Sequence, residues 1–280
     1  DIHTLKSKLA TRLANYPDDA LFITQVFICV NASNDIDNLQ RGGSDYSASL
    51  IGAALNAEVV QIWTDLDGMH NNDPRYIKNT FPIRELHFDE AAELAYFGAK
   101  ILHPASILPA KTNNIPVRLK STLNENAPGT LITQRLIDKG IKAIAAKDGI
   151  TAIKIKSARM LLAYGFLRKV FEVFETHKTS IDMITTSEVA VSVTIDNNTN
   201  LHKIIEELEK FGLVEVDRNQ AIICIVGNMV AEKTGVIRDV LTALSYVPIR
   251  MVSYGGSRHN ISVLVDAERK IQALRDLNEG

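Results

Sequence analysis

The chain has 280 residues, 46% hydrophobic and 23% charged, the balance of a soluble globular protein with room for two domains. A formal net charge of −2 argues against nucleic acid or an anionic membrane surface as the main partner. No apolar run approaches the roughly 20 residues of a membrane span, and the only cysteines, Cys29 and Cys224, lie in apolar runs that suit reduced core residues in a cytoplasmic protein. The chain opens on Asp1 without a charged-then-apolar leader, and we expect it to be part of a longer gene product.

In chain order, Leu5, Leu9 and Leu13 recur at helical spacing and predict an amphipathic helix. "ALFITQVFICV" is a continuous apolar run and predicts a strand buried on both faces. "QRGGSD" (40–45) then opens a helix that Ser44 caps and that runs to about Leu55. By themselves these six residues read either as a site for a small zwitterion or as a plain loop-to-helix junction. "EVVQIWTD" predicts a second buried strand, with Trp63 in the core, and "MHNNDPR" is turn chemistry. Asp89 is expected to cap "EAAELAYF", and Gly98 to stop it. His103 before Pro104 starts another helix, and "IPVRLKS" reads as a strand. This strand and helix alternation predicts an α/β sheet covered by helices. The mixed segment at 124–140 looks like a domain boundary.

Beyond it lies an internal repeat. "GFLRKVFEVFETHKTSIDMITTSEVAVSVTID" (165–196) aligns without gaps to "GVIRDVLTALSYVPIRMVSYGGSRHNISVLVD" (235–266). Both begin with Gly, carry Arg three residues later and end on a strand closed by Asp. Flanking strands and helices extend each to a β-α-β-β-α-β unit.

"RGGSDYSASL", "QIWTDLDGMHNNDPR" and "ELAYFGAKILHPASILPA", in this order and followed by the repeat, resemble aspartate kinase, and the regulatory segment is most similar to the lysine-sensitive, single-activity type. The resemblance implies ATP-dependent phosphorylation of the β-carboxylate of L-aspartate, a first step in making lysine, threonine and methionine, with L-lysine as allosteric inhibitor. It implies an α/β fold, the C-terminal half of an amino-acid kinase αβα sandwich (1–136) followed by two α+β ACT domains. One ACT domain is inserted at 157–220, and the other is assembled from 141–156 and 221–280. It also implies a homodimer through the ACT domains.

Its site residues transfer by motif. Arg41 is to fork onto the α-carboxylate of aspartate and Asp45 to take the ammonium, the two positions expected to be catalytic, while Gly42, Gly43 and Ser44 bring the backbone and its N–H groups to the substrate. Thr64 and Asp65 are to meet the adenosine part of ATP, with Arg75 and Lys100 near the phosphates. His70 stands where the family has a tyrosine on the adenine side, and Val26 where it has a glycine. Mg²⁺ is expected to ride on the nucleotide. Asp67 and Asp73 read as turn residues, the histidines have no metal-ligand spacing, and no metal site of the protein's own is expected. The lysine effector is assigned to Met160, Ala163, Phe166, Leu167, Ile181, Asp182, Ser187 and Glu188. Asp182 and Glu188 face its ammonium groups and helix-start N–H groups face its carboxylate. Phe166 and Leu167 read equally as ACT core.

One expected feature is missing from these residues: a "KFGG"-like strand whose lysine stabilises the transferring phosphoryl group. We therefore expect an incomplete sheet and no turnover of aspartate by this polypeptide alone. The alternative reading is a non-catalytic lysine-binding ACT protein that retains part of a kinase domain.

Overall fold

The computed structural model describes residues 2–17, 19–40, 42–98, 102–136, 140–157, 164–228 and 230–279. They fall into two units, Asp1–Ala143 with Val226–Met229, and Ile144–Ile225 with Val230–Gly280.

In the first unit, the leucine spacing produces α1 (Ile2–Leu13), which packs on α2 (Gly43–Leu55). Between them the apolar run does not become a buried strand. Only β1 (Ile28–Val30) is extended enough to pair, and it pairs antiparallel with β2 (Ile36–Asn38) in a small two-stranded sheet. Leu21 and Ile23 are 91% and 95% exposed. The physical reason lies at Phe27, whose positive φ of 77° breaks the extended run. Its N–H donates to Ser47 Oγ at 3.0 Å, which turns the chain onto the start of α2.

A second, four-stranded sheet has the order β3 (Val60–Thr64), β5 (Val117–Ser121), β6 (Thr130–Thr133), β4 (Glu85–His87). β3 and β5 are parallel, as are β4 and β6, while β5 and β6 are antiparallel. β6 comes from the stretch read as a boundary and lies inside this sheet. β3 is an edge strand buried on one face, which leaves Trp63 45% exposed rather than in the core. Its ring carries Lys120 Nζ 5.2 Å from the centroid. α3 (Phe88–Phe97) ends at Gly98 as expected, but His87 rather than Asp89 caps it: the Asp89 N–H donates to His87 Nδ1, and Glu90 Oε2 accepts from the His87 N–H at 2.7 Å. A short 3-10 helix (Pro104–Ile107), capped by His103, leads into α4 (Leu108–Thr112).

The second unit is built on a six-stranded sheet. Its elements are β7 (Gly140–Lys156), α5 (Phe166–Thr176), β8 (Ile184–Thr186), β9 (Ala190–Ile195), α6 (Leu201–Leu208), β10 (Leu213–Asn228), α7 (Val236–Ala243), β11 (Ile249–Tyr254), β12 (Asn260–Asp266) and α8 (Lys270–Glu279). The strand order β11-β12-β10-β7-β9-β8 places the two long strands at the centre, with the outer ends 140–143 and 226–228 counted in the first unit. The sequence repeat is a structural repeat: α5, β8 and β9 match α7, β11 and β12. The matched glycines explain themselves, because Gly165 (φ 82°) and Gly235 (φ 91°) both enter their helices in the left-handed region. Residues 151–156 of β7 pair antiparallel with β9. Ile153, Phe166, Val170, Phe174, Val193 and Ile204 form the core beneath. This is the α/β architecture with α+β repeats that the sequence predicts.

Candidate functional site

The glycine turn is built by backbone geometry. Gln40 (φ 61°) and Gly42 (φ 74°) are both left-handed, and Gly43 starts α2. A side chain at Gly42 would place its Cβ 2.7 Å from His103 Cβ, so only glycine fits there. No side chain caps α2, the Gly43 N–H donates to the Gln40 carbonyl at 3.1 Å, and Ser44 lies exposed inside the first turn rather than at the cap. Asp45 follows in that first turn, half-buried, and burial pushes its carboxyl above the ordinary value. Among the described residues no cation pairs with it. Arg41 lies outside the described residues, as does Lys100. Val26 is 40% exposed.

Thr64 and Asp65 sit at the carboxyl end of β3, where parallel strands gather ligands. Thr64 Oγ1 donates to Asp65 Oδ1 at 2.9 Å, and its carbonyl accepts from the Thr122 N–H at 2.7 Å and the Thr122 hydroxyl at 2.9 Å. The carboxylate of Asp65 is exposed. The following loop is organised by its own polar contacts. His70 Nε2 lies 2.7 Å from Asp67 Oδ1, and Nδ1 lies 3.1 Å from Thr80 Oγ1. Arg75 forks onto Asp73, with Nη2 2.6 Å from Oδ2, and is itself largely exposed. Asp67 and Asp73 are thus turn residues with partners inside the loop. Thr130 pins the loop to the sheet, accepting from the Met69 N–H at 2.9 Å and donating to the Ile83 carbonyl at 2.6 Å.

The second group of predicted residues separates into three environments. Met160 and Ala163 lie outside the described residues. Phe166 is in the core and Ile181 packs against it, while Leu167 is 38% exposed. Asp182, with a side chain 1% exposed, meets Lys147 Nζ at 2.7 Å. Ser187 and Glu188 lie exposed in the turn between β8 and β9, where the Ser187 N–H donates to the Ala190 carbonyl at 2.8 Å.

Residues 3–121 match the amino acid kinase family and residues 223–280 match the ACT domain. The lysine-sensitive aspartokinase 3 of Escherichia coli (strain K12) is 38% identical over 286 residues, covering 98% of this chain and 64% of that protein. The chain belongs to the aspartokinase family. Among solved aspartokinases, E. coli aspartokinase III in complex with aspartate and ADP (R-state) gives a TM-score of 0.85 at 37% identity. The same enzyme in complex with lysine and aspartate (T-state) gives 0.84 at 38% identity. Each comparison covers 100% of this chain and 64% of the other, so the chain spans a little under two thirds of the length of these aspartokinases.

Sequence reading missed three side chains around these aspartokinase motifs. Lys120 and Thr122 flank Thr64 because β5 runs parallel to β3, in register Trp63↔Lys120 and Thr64↔Ser121. A Lys-Ser-Thr run closing a predicted strand was the available signal. Lys147 had none, since its partner Asp182 is 35 residues away.

Proposed function

We propose that this protein transfers the γ-phosphoryl group of ATP to the β-carboxylate of L-aspartate, under feedback inhibition by L-lysine. The observation that carries the reading is the turn at 42–45. It offers uncapped helix N–H groups for a carboxylate and, beside them, a half-buried carboxylate with no described cation partner for an ammonium. An arriving ammonium repays the desolvation of Asp45, so recognition is matched to a zwitterion. Arg41 is assigned to the α-carboxylate. Thr64 and Asp65, at the carboxyl end of β3, are assigned to the nucleotide together with His70, Arg75 and Lys100. The likeness to a structure named for bound aspartate and ADP supports this assignment.

Phosphoryl transfer of this kind asks the protein for alignment and positive charge rather than covalent chemistry. Mg²⁺ supplies charge neutralisation when it arrives with the nucleotide. The described residues fit that role for the ion, since Asp67 and Asp73 are engaged by His70 and Arg75 while Asp65 stays exposed. We also infer that these 280 residues by themselves do not turn over aspartate, because they contain no "KFGG"-like lysine; aspartyl phosphate formed by the pure chain would overturn that part.

We assign domains at 1–136 (kinase portion), 157–220 (first ACT) and 141–156 with 221–280 (second ACT). The effector L-lysine is assigned to the first ACT domain, with Met160, Ala163, Phe166, Leu167 and Ile181 around its stem and Asp182, Ser187 and Glu188 on its polar groups. The start of α5 supports this, because Gly165 enters the helix with no side-chain cap. The likeness to a structure named for bound lysine is a second support. Exposed Leu167, Phe171 and Val189 support a homodimer through these domains. No helix of the described residues is long and apolar enough to cross a membrane, and we place the protein in the cytoplasm. Calorimetric titration with L-lysine, with L-threonine as control, tests the regulatory half. Saturable lysine binding that is lost in Asp182→Ala is expected, and a preference for threonine overturns the effector assignment.

A further inference from the structure

Lys147 lies two residues before Gly149, a left-handed residue (φ 76°) inside β7 just ahead of the segment 151–156 that pairs with β9. Its ammonium is shared by two carboxylates, Nζ standing 2.7 Å from Asp182 Oδ1 and 2.8 Å from Asp196 Oδ2. The two differ in setting. Asp182 is 1% exposed, whereas Asp196 is 40% exposed. The buried carboxylate therefore gains more from the Lys147 charge than the surface one does.

Asp182 is also the carboxylate assigned above to an ammonium of the effector, and the present inference rests on that assignment. In this structure the position is held by an ammonium of the chain itself. The second repeat shows the same site without the conflict. Val252 stands at the position matching Asp182, and the carboxylate matching Asp196, Asp266, accepts from the Gln220 amide at 2.9 Å and lies 3.6 Å from Arg250 Nη2. The buried carboxylate that Lys147 meets therefore has no counterpart in the second repeat.

We propose that Lys147 is a tethered competitor of the effector. The ligand's ammonium takes the place of Lys147 on Asp182, and the displaced Lys147 remains paired with Asp196. One ammonium replaces another, so Asp182 keeps a cation beside it throughout, and the exchange avoids the cost of removing one partner of a buried ion pair. A tethered group acts at high effective concentration, so Lys147 sets how much free amino acid is needed before the site fills. The exchange also reaches the second repeat, because the adjacent Asp148 holds Lys270 of α8 at 2.8 Å, a lysine only 7% exposed.

The test is calorimetric titration of the chain with L-lysine in wild type, Lys147→Met and Lys147→Gln, with the thermal shift produced by lysine read in parallel. Glutamine keeps a hydrogen-bond donor but no charge, and serves where methionine leaves the fold too unstable. Removing the competitor is expected to tighten lysine binding at least about tenfold and to enlarge the thermal shift, although the unliganded variants melt lower. A purely structural ion pair predicts the lower melting alone. Unchanged or weaker lysine binding in the variants overturns the proposal while wild-type binding leaves the effector assignment intact. Binding by the variants but not by wild type supports it in its strongest form. Absence of lysine binding in all three overturns both.

Discussion

Lys142 Nζ stands 3.0 Å from Glu90 Oε2 in the first unit, and the Glu90 side chain is fully buried. The same oxygen accepts the His87 N–H that caps α3, while Oε1 has no partner among the described residues. Removing one partner of a buried ion pair strands the other, at a cost of about 3–5 kcal/mol. Lys142→Met is expected to destabilise the first unit by that order in urea melts. Glu90→Gln combined with Lys142→Met should recover part of the loss, since no buried charge is then left over.

Asp45 is expected to trade stability for binding. Its folded-state pKa is raised by burial, so the folded state holds the proton more tightly than the unfolded chain. That contribution is present below the ordinary carboxylate range and is lost as pH rises through the raised value. At neutral pH the charged group is a net cost. Asp45→Asn should therefore melt higher than wild type at neutral pH, with the gain shrinking on acidification, and should lose aspartate binding in calorimetry. A variant that melts lower at neutral pH contradicts this account.

Gly42 combines a left-handed backbone with a contact that a Cβ would bring to 2.7 Å from His103 Cβ. Gly42→Ala is expected to cost roughly 1–3 kcal/mol. It should also weaken aspartate binding, because relief of the clash moves the turn that carries Asp45. Thermal melts and aspartate titration of the same preparation check both effects together.

Thr130 is fully buried and serves two backbone partners of the loop that carries His70 and Arg75. Thr130→Val keeps the shape but leaves the Met69 N–H without its acceptor, a loss of about 1–3 kcal/mol. ADP binding in the presence of Mg²⁺ should weaken as the loop loosens. Unaltered nucleotide affinity would show that the loop does not contribute to that site.

Local features were legible in the sequence because their causes are local. The leucine spacing of α1, the stop at Gly98, the cap at His103 and the two helix-entry glycines 70 residues apart each follow from residues within a turn or two. The apolar run at 21–31 misled for a complementary reason. Hydrophobicity says that a segment can be buried, but whether another layer covers it is a property of the assembled chain, and here Phe27 turns the run away. Trp63 failed in the same way, because one face of an edge strand looks like a core face until its neighbours are known.

By itself the sequence determined the order of motifs, the repeat and, through them, the aspartokinase family, because glycine turns, strand ends and helix periods are written in adjacent residues. Only the tertiary structure decided which charges meet. It set Lys147 against Asp182, Lys142 against Glu90 and Lys120 over Trp63, and it joined the strands of both repeats in one six-stranded sheet. Such pairings depend on strand register and on burial, which raise the strength of a charge contact as water is excluded, and neither quantity exists until the chain has folded.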